Sequence, residues 1–356
     1  MTKNRNLADL LNADGQIDNA DIAGGVNFKN IIINGDMSIA QRSTSVASIT
    51  TTGYYTIDRM RFGVNNFGTF TQSQSTDVPT AQGFAKSFKV DCTTADISLG
   101  AANYGFFNYN IEGQDLQYLK KGTANAESLT LSFWTKSNKT GTYTFELDDN
   151  DNNRSISKTY TVDSANTWEK KTITIEGDTT GTLDNDNNNS LRFYFWLGAG
   201  SNYTSGTLQT SWQSTTDANR VSSSNVNLGD STSNEWYITG VQLEAGTTAS
   251  DFEFLPVDMN LARCQRYFEN FDDRRLIWTG DVTSGEEYFH QTSFNTTKRA
   301  TPSVTVTFNG GNYFNGGTLT SASTYNNTNV LNASCTANST NARGYFDYFA
   351  EADSEL

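Results

Sequence analysis

The sequence predicts an all-β protein: a jelly-roll sandwich, a smaller C-terminal β domain behind it, and a short N-terminal arm in front. Three observations predict this. Asn, Thr, Ser and Gly crowd the chain, and these residues favour turns and strand edges over helix interiors. Short segments alternate apolar and polar residues with period two, which on a strand buries one face and wets the other. Only 3 of 356 residues are Pro, as suits a chain that needs its ladder N–H donors. Aromatics reach 12% while charged residues stay at 18%, a balance opposed to disorder, which combines few aromatics with much charge.

Residues 1–26 form the arm. They carry too little apolar surface for a core of their own. The arm should order only against a partner, with Leu7, Leu10, Leu11, Ile17 and Ile22 as its contact candidates. Its stretch from Asn12 to Asp21 resembles a calcium loop, but with Gly15 at loop position 6 the first ligand position falls on Leu10, which cannot ligate. A polar Asp-Gly turn is the better reading.

Residues 27–257 form the jelly roll. Leu129–Trp134, Tyr143–Leu147 and Lys171–Glu176 alternate, Leu191–Leu197 is more continuously apolar, and Trp236–Leu243 closes the series. Clusters rich in Gly, Asn and Asp at Asn138–Gly141, Asp148–Asn153 and Asp178–Asn189 separate them. Many short strands with evenly spaced turn signals imply a sandwich.

Residues 258–356 form the second β domain. Met259–Glu269 has apolar residues near helical spacing and reads as a short helix. Tyr288–Phe294 and Ser303–Phe308 alternate again, Asn309–Asn312 reads as a hairpin tip, and Ala342–Ala350 is the last strand.

The formal net charge of −14 and pI near 4.5 exclude the basic face that phosphate backbones require. No apolar run approaches the roughly 18 residues of a membrane span. The opening residues lack the apolar stretch of a signal peptide, so folding in a cytoplasm is expected. Cys92, Cys264 and Cys335 are odd in number and far apart, which suits small buried hydrophobes rather than disulfides or zinc ligands.

Enzyme signatures are weak. The single histidine, His290, lies in an alternating strand, and no G-x-S-x-G elbow occurs. Glycan cleavage needs only two carboxylates, about 5–5.5 Å or 6.5–9.5 Å apart, and Glu112 with Asp115 or Glu146 with Asp148 are adjacent pairs. Asp148, Asp149 and Asp151, and the loop Asp184–Asp186, offer oxygen ligands at short spacing, so a structural calcium is a possibility to test.

Several motifs, in order, resemble a family of tail-fibre-type virion proteins of marine bacteriophages. They are Asn30–Arg42, Tyr54–Met60, Ile111–Leu116, Leu131–Trp134, Trp236–Glu244, Cys264–Phe268 and the acidic end Ala352–Leu356. Met60 stands where that family usually has Trp. The resemblance implies a carbohydrate-binding-module-like jelly roll, a place in the virion and a homotrimer. It implies that the arm anchors to other virion proteins and that the partner outside is a host cell-surface glycan. Sugars stack on aromatic rings and bond to neighbouring polar groups, so Tyr203 and Trp212, in a Ser/Thr/Gly-rich stretch, and Trp278, beside Gly280, are the glycan-binding candidates. Trp134, Trp168, Trp196 and Trp236 abut strand patterns and are assigned to cores or sheet faces. The expected function is non-enzymatic particle assembly and host attachment. The alternatives are a polysaccharide depolymerase and a purely structural head-fibre, decoration or adaptor protein.

Overall fold

The computed structural model describes residues 28–271, 276–308, 322–324, 326–337 and 340–356. The arm residues Leu7, Leu10, Leu11, Ile17 and Ile22, and the hairpin tip at Asn309–Asn312, lie outside the described residues. The chain divides into two units. The first comprises Met1–Ser38, Ser45–Gly53 and Arg61–Leu255, and the second Ile39–Thr44, Tyr54–Met60 and Pro256–Leu356.

The first unit is a two-sheet sandwich, the jelly-roll class its pattern predicts. Its strands are β1 Ser45–Ile49, β2 Gly53–Tyr54, β3 Arg61–Asn65, β4 Thr69–Ser75, β5 Ser87–Thr94, β6 Tyr104–Glu112, β7 Leu129–Ser137, β8 Gly141–Asp149, β9 Arg154–Val162, β10 Glu169–Ile175, β11 Asn189–Ala199, β12 Gln213–Ser214 and β13 Glu235–Ala245. One sheet runs β1-β4-β5-β13-β7-β10 and the other β12-β9-β8-β11-β6-β3-β2. Alternation sets the faces. On β7, Leu129, Leu131 and Phe133 point into the sandwich, and Leu131 sits opposite Ile173 of β10 and Leu243 of β13.

Aromatic rings join the two sheets. Phe88 of β5 meets Phe107 of β6 edge-on at 4.8 Å, and Phe133 of β7 meets Phe195 of β11 at 4.9 Å. All four are fully buried. Each such pair contributes roughly 0.5–1.5 kcal/mol beyond the area it buries. Trp236 belongs to this core, whereas Trp134 and Trp168 are half-buried.

The second unit holds a helix, Val257–Gln265, and seven strands among its described residues: β14 Phe268–Asn270, β15 Leu276–Val282, β16 Glu287–Ser293, β17 Ser303–Phe308, β18 Ala322–Thr324, β19 Val330–Thr336 and β20 Asn341–Asp353. β20 pairs with β14, β15 and β17, and β16-β19-β18 form a second sheet. Phe271, Val282, Leu331, Tyr348 and Ala350 make its core.

Two segments from before residue 61 belong to this unit, and an ion cluster shows why. Arg42 pairs with Asp353 at 3.0 Å and stacks over Phe268 at 3.6 Å. Arg59, 1% exposed, pairs with Glu355 and lies 3.5 Å from the Tyr267 ring centroid. Tyr54 donates to the Leu356 carbonyl at 3.1 Å. Four stretches far apart in sequence therefore meet in one place.

Candidate functional site

The aromatic-rich strands β6 and β11 lie side by side in the second sheet of the sandwich, with Trp196 opposite Phe106 and Tyr194 opposite Asn108. Phe107, Phe193 and Phe195 fill the core. Their neighbours of opposite parity, Phe106, Tyr194 and Trp196, must then project from the other face, because successive side chains alternate. They do not meet open water there. They pack with Tyr104, Val221 and Tyr203 into a second apolar cluster.

A cavity of about 310 Å³ opens over this cluster, lined by Thr52, Arg61, Tyr104, Phe106, Tyr194, Trp196, Tyr203 and Arg220. Its floor is rigid. Phe106 meets Tyr194 at 4.8 Å and Trp196 at 5.5 Å, both edge-on, while Tyr104 stacks on Phe106 at 5.1 Å. Gly63, opposite Phe106 across β3 and β6, leaves the space that the ring needs: a Cβ there would lie 2.1 Å from it. Phe106, Tyr194 and Trp196 are 7%, 6% and 1% exposed, so the rings free to touch a ligand are the half-buried Tyr104 and Tyr203.

Tyr203 reaches the cavity from the one-turn helix Ser201–Thr204 that follows β11. Backbone bonds from Gly200 to Asn103 (2.8 Å) and from Asn202 to Ala101 (2.9 Å) fix that turn. Its ring stands 5.9 Å from Tyr104 and 5.4 Å from Trp196.

Arg220 is held from below. Its guanidinium donates two bonds to the Glu146 carboxylate, at 2.7 and 3.1 Å, and Trp196 Nε1 donates a third at 2.9 Å. Glu146 is fully buried, and this burial raises its carboxyl above the usual range against the pull of Arg220. Burial works to lower the Arg220 guanidinium, yet Glu146 outweighs it and holds the group protonated. Both Glu146 oxygens are taken up by the Arg220 guanidinium and the Trp196 indole. Its neighbour Asp148 is paired with Arg192 at 2.7 Å. Glu112, of the other suggested pair, accepts from Gln114 at 2.5 Å.

Of the three residues singled out from sequence, the cavity includes Tyr203 alone. Trp212 donates to the Glu176 carbonyl at 2.8 Å, with the Lys121 ammonium 5.1 Å from its ring. Trp278 lies in β15 of the second unit, paired with Phe346. Tyr104, Phe106, Tyr194 and Trp196 escaped notice as site residues. The signal was present: Tyr104–Phe107 and Phe193–Trp196 carry aromatics at both parities, which on a strand means that both faces are covered.

The calcium candidates Asp148 and Asp149 end β8, and Asp151 lies in the turn that follows. Among the described residues no group of three or more His, Cys, Asp or Glu side chains could hold a metal ion. Lys121 occupies the place a cation would take: its ammonium bonds Asp149, lies 3.1 Å from Asp178, and donates to the carbonyls of Thr180 (3.1 Å) and Gly181 (2.9 Å). Asp151 instead accepts the Asp184 backbone N–H at 2.9 Å. His290 bonds Tyr348 at 3.0 Å, and burial lowers its pKa. Cys92 and Cys264 are free and buried. Among the described residues no helix is long and apolar enough to cross a membrane.

No protein-family model matches the chain, and no curated protein does. Solved structures similar to it include the enzymatically active domain of tailspike protein 4 of bacteriophage CBA120, at 15% identity and TM-score 0.32, over 62% of this chain. The chain spans 22% of that domain's length. A family 61 carbohydrate-binding module in complex with β-1,4-galactotriose aligns over 61% of this chain and 98% of its own, at 9% identity and TM-score 0.30. A family 11 module from Clostridium thermocellum, in complex with a mixed-linked tetrasaccharide, aligns over 58% and 97%, at 12% identity and TM-score 0.28.

Proposed function

We propose that this chain is a non-catalytic virion component that binds a host cell-surface glycan through the aromatic cavity of its first unit. The carrying observation is the cavity itself: two half-exposed tyrosines over a packed aromatic floor, flanked by two arginines. Pyranose rings present apolar C–H faces that lie on aromatic rings, while their hydroxyls take bonds from the phenols and guanidinium groups. A cavity of about 310 Å³ is at the small end of ligand sites, roughly 300–1,000 Å³, and suits one or two sugar rings. The virion assignment has a different support, the resemblance of several ordered motifs to phage tail-fibre-type proteins. Attachment through residues 1–26 and assembly as a homotrimer belong to the same reading. Trp212 and Trp278 remain proposals for secondary contacts.

A glycan array probed with the full chain and with Tyr203→Ala tests this. The account expects a defined set of hits that Tyr203→Ala loses while keeping its folded circular-dichroism spectrum. Hits equally strong in the variant would remove the cavity from the account. Shortened glycan chains after incubation would return the depolymerase reading.

A further inference from the structure

Arg61 lies on β3 in the row of outward residues that crosses β6, β11 and β8 as Arg61, Asn108, Tyr194 and Glu146. Two arginines, Arg61 and Arg220, line the cavity. Glu146 and Arg220 neutralise each other through two hydrogen bonds. Asp217 reaches Arg220 only at 3.5 Å, with its side chain 71% exposed. Among the described residues no carboxylate pairs with Arg61. In a chain of net charge −14, a half-buried guanidinium left without a carboxylate at the wall of an aromatic cavity is an unfilled ion-pair position. Beside it, the buried Asn108 Oδ1 has no hydrogen-bond partner among the described residues.

We infer that the cavity selects an acidic sugar, a uronate whose pyranose face lies against Tyr104 and Tyr203 and whose carboxylate pairs with Arg61. This ligand class rests on the glycan reading above. The guanidinium fork matches a planar carboxylate with two parallel N–H···O bonds. The low-dielectric aromatic wall strengthens that pair relative to open water. Arg220, already occupied by Glu146, contributes a fixed edge rather than the selecting charge.

The test is calorimetric titration of the full chain with a β-1,4-linked oligoglucuronate and with the neutral oligoglucose made by reducing its carboxyls. A charge-assisted pair of this kind predicts about tenfold tighter binding of the acidic form, with the advantage shrinking as salt rises. In Arg61→Gln the acid-to-neutral ratio should fall to about one. Equal binding of the two sugars by the natural chain would overturn the inference and leave the glycan reading standing, as would an acid preference that survives Arg61→Gln. Binding of neither, together with a glycan array without hits, would remove both.

Discussion

Asp58 shows how a single residue can report on the second unit. It is fully buried, accepts from Gln41 backbone N–H at 2.9 Å and from the Gln41 amide, and lies near Arg42 and Glu355. Burial dominates over these bonds and pushes its carboxyl from the ordinary 3.8 up to about 6. The folded state then holds the proton more tightly than the unfolded chain. Its contribution is fully present below pH 4 and falls as pH rises towards 6. The displacement corresponds to about 3 kcal/mol. Chemical denaturation of the full chain should show the second unit's transition weakening between pH 4 and 6.5, and Asp58→Asn should flatten that slope. A slope unaltered in the variant would assign the pH dependence elsewhere. Tyr203 illustrates what was legible at this scale: the aromatic singled out in a Ser/Thr/Gly-rich stretch lines the cavity. Arg61 was not legible, because an arginine without a partner is a statement about distant chain segments.

Elements divide by how local their signals are. Strand β17 matches Ser303–Phe308 as read, and β7, β8, β10 and β16 lie within two or three residues of their alternating segments. The helix expected at Met259–Glu269 is Val257–Gln265, because Phe268–Asn270 pairs with β20 instead. Alternation could not reveal that Ile39–Thr44 and Tyr54–Met60 join the second unit, since their partners are some 300 residues away, at Asp353 and Glu355. The double-parity strands β6 and β11 separate stability from binding. Phe195→Ala empties a fully buried position between six aromatic neighbours and should destabilise the first unit by about 3–5 kcal/mol. Tyr203→Ala, on the other face and half-exposed, should cost far less while abolishing binding. Thermal melts of both variants check the contrast, and equal losses would contradict it. The loop network of Lys121 makes a further prediction. With an ammonium among those oxygens, EDTA should leave the melting temperature unchanged. A fall of several degrees would restore calcium to the acidic loops.

For the whole molecule, composition and alternation made the all-β class and the sandwich legible. The cavity was hidden because its lining comes from Thr52, β3, β6, β11, the one-turn helix at Tyr203 and Arg220, which only the fold brings together. Residues from four separated sequence segments meet in one cluster. Arg42, Arg59, Tyr267–Phe268 and Asp353–Glu355 form one cation–aromatic–carboxylate cluster, so a change in one strains the others. The trimer is testable by light scattering, which should return three times 39.2 kDa; a stable species of 39.2 kDa would contradict it. The central claim is that the outer face of β6 and β11 binds sugar. A crystal structure with the tightest oligosaccharide tests it most directly. The account predicts a pyranose ring against Tyr104 and Tyr203 with its anionic group on Arg61. An oligosaccharide seated instead beside Trp212 or Trp278, with the cavity occupied by water alone, would contradict it.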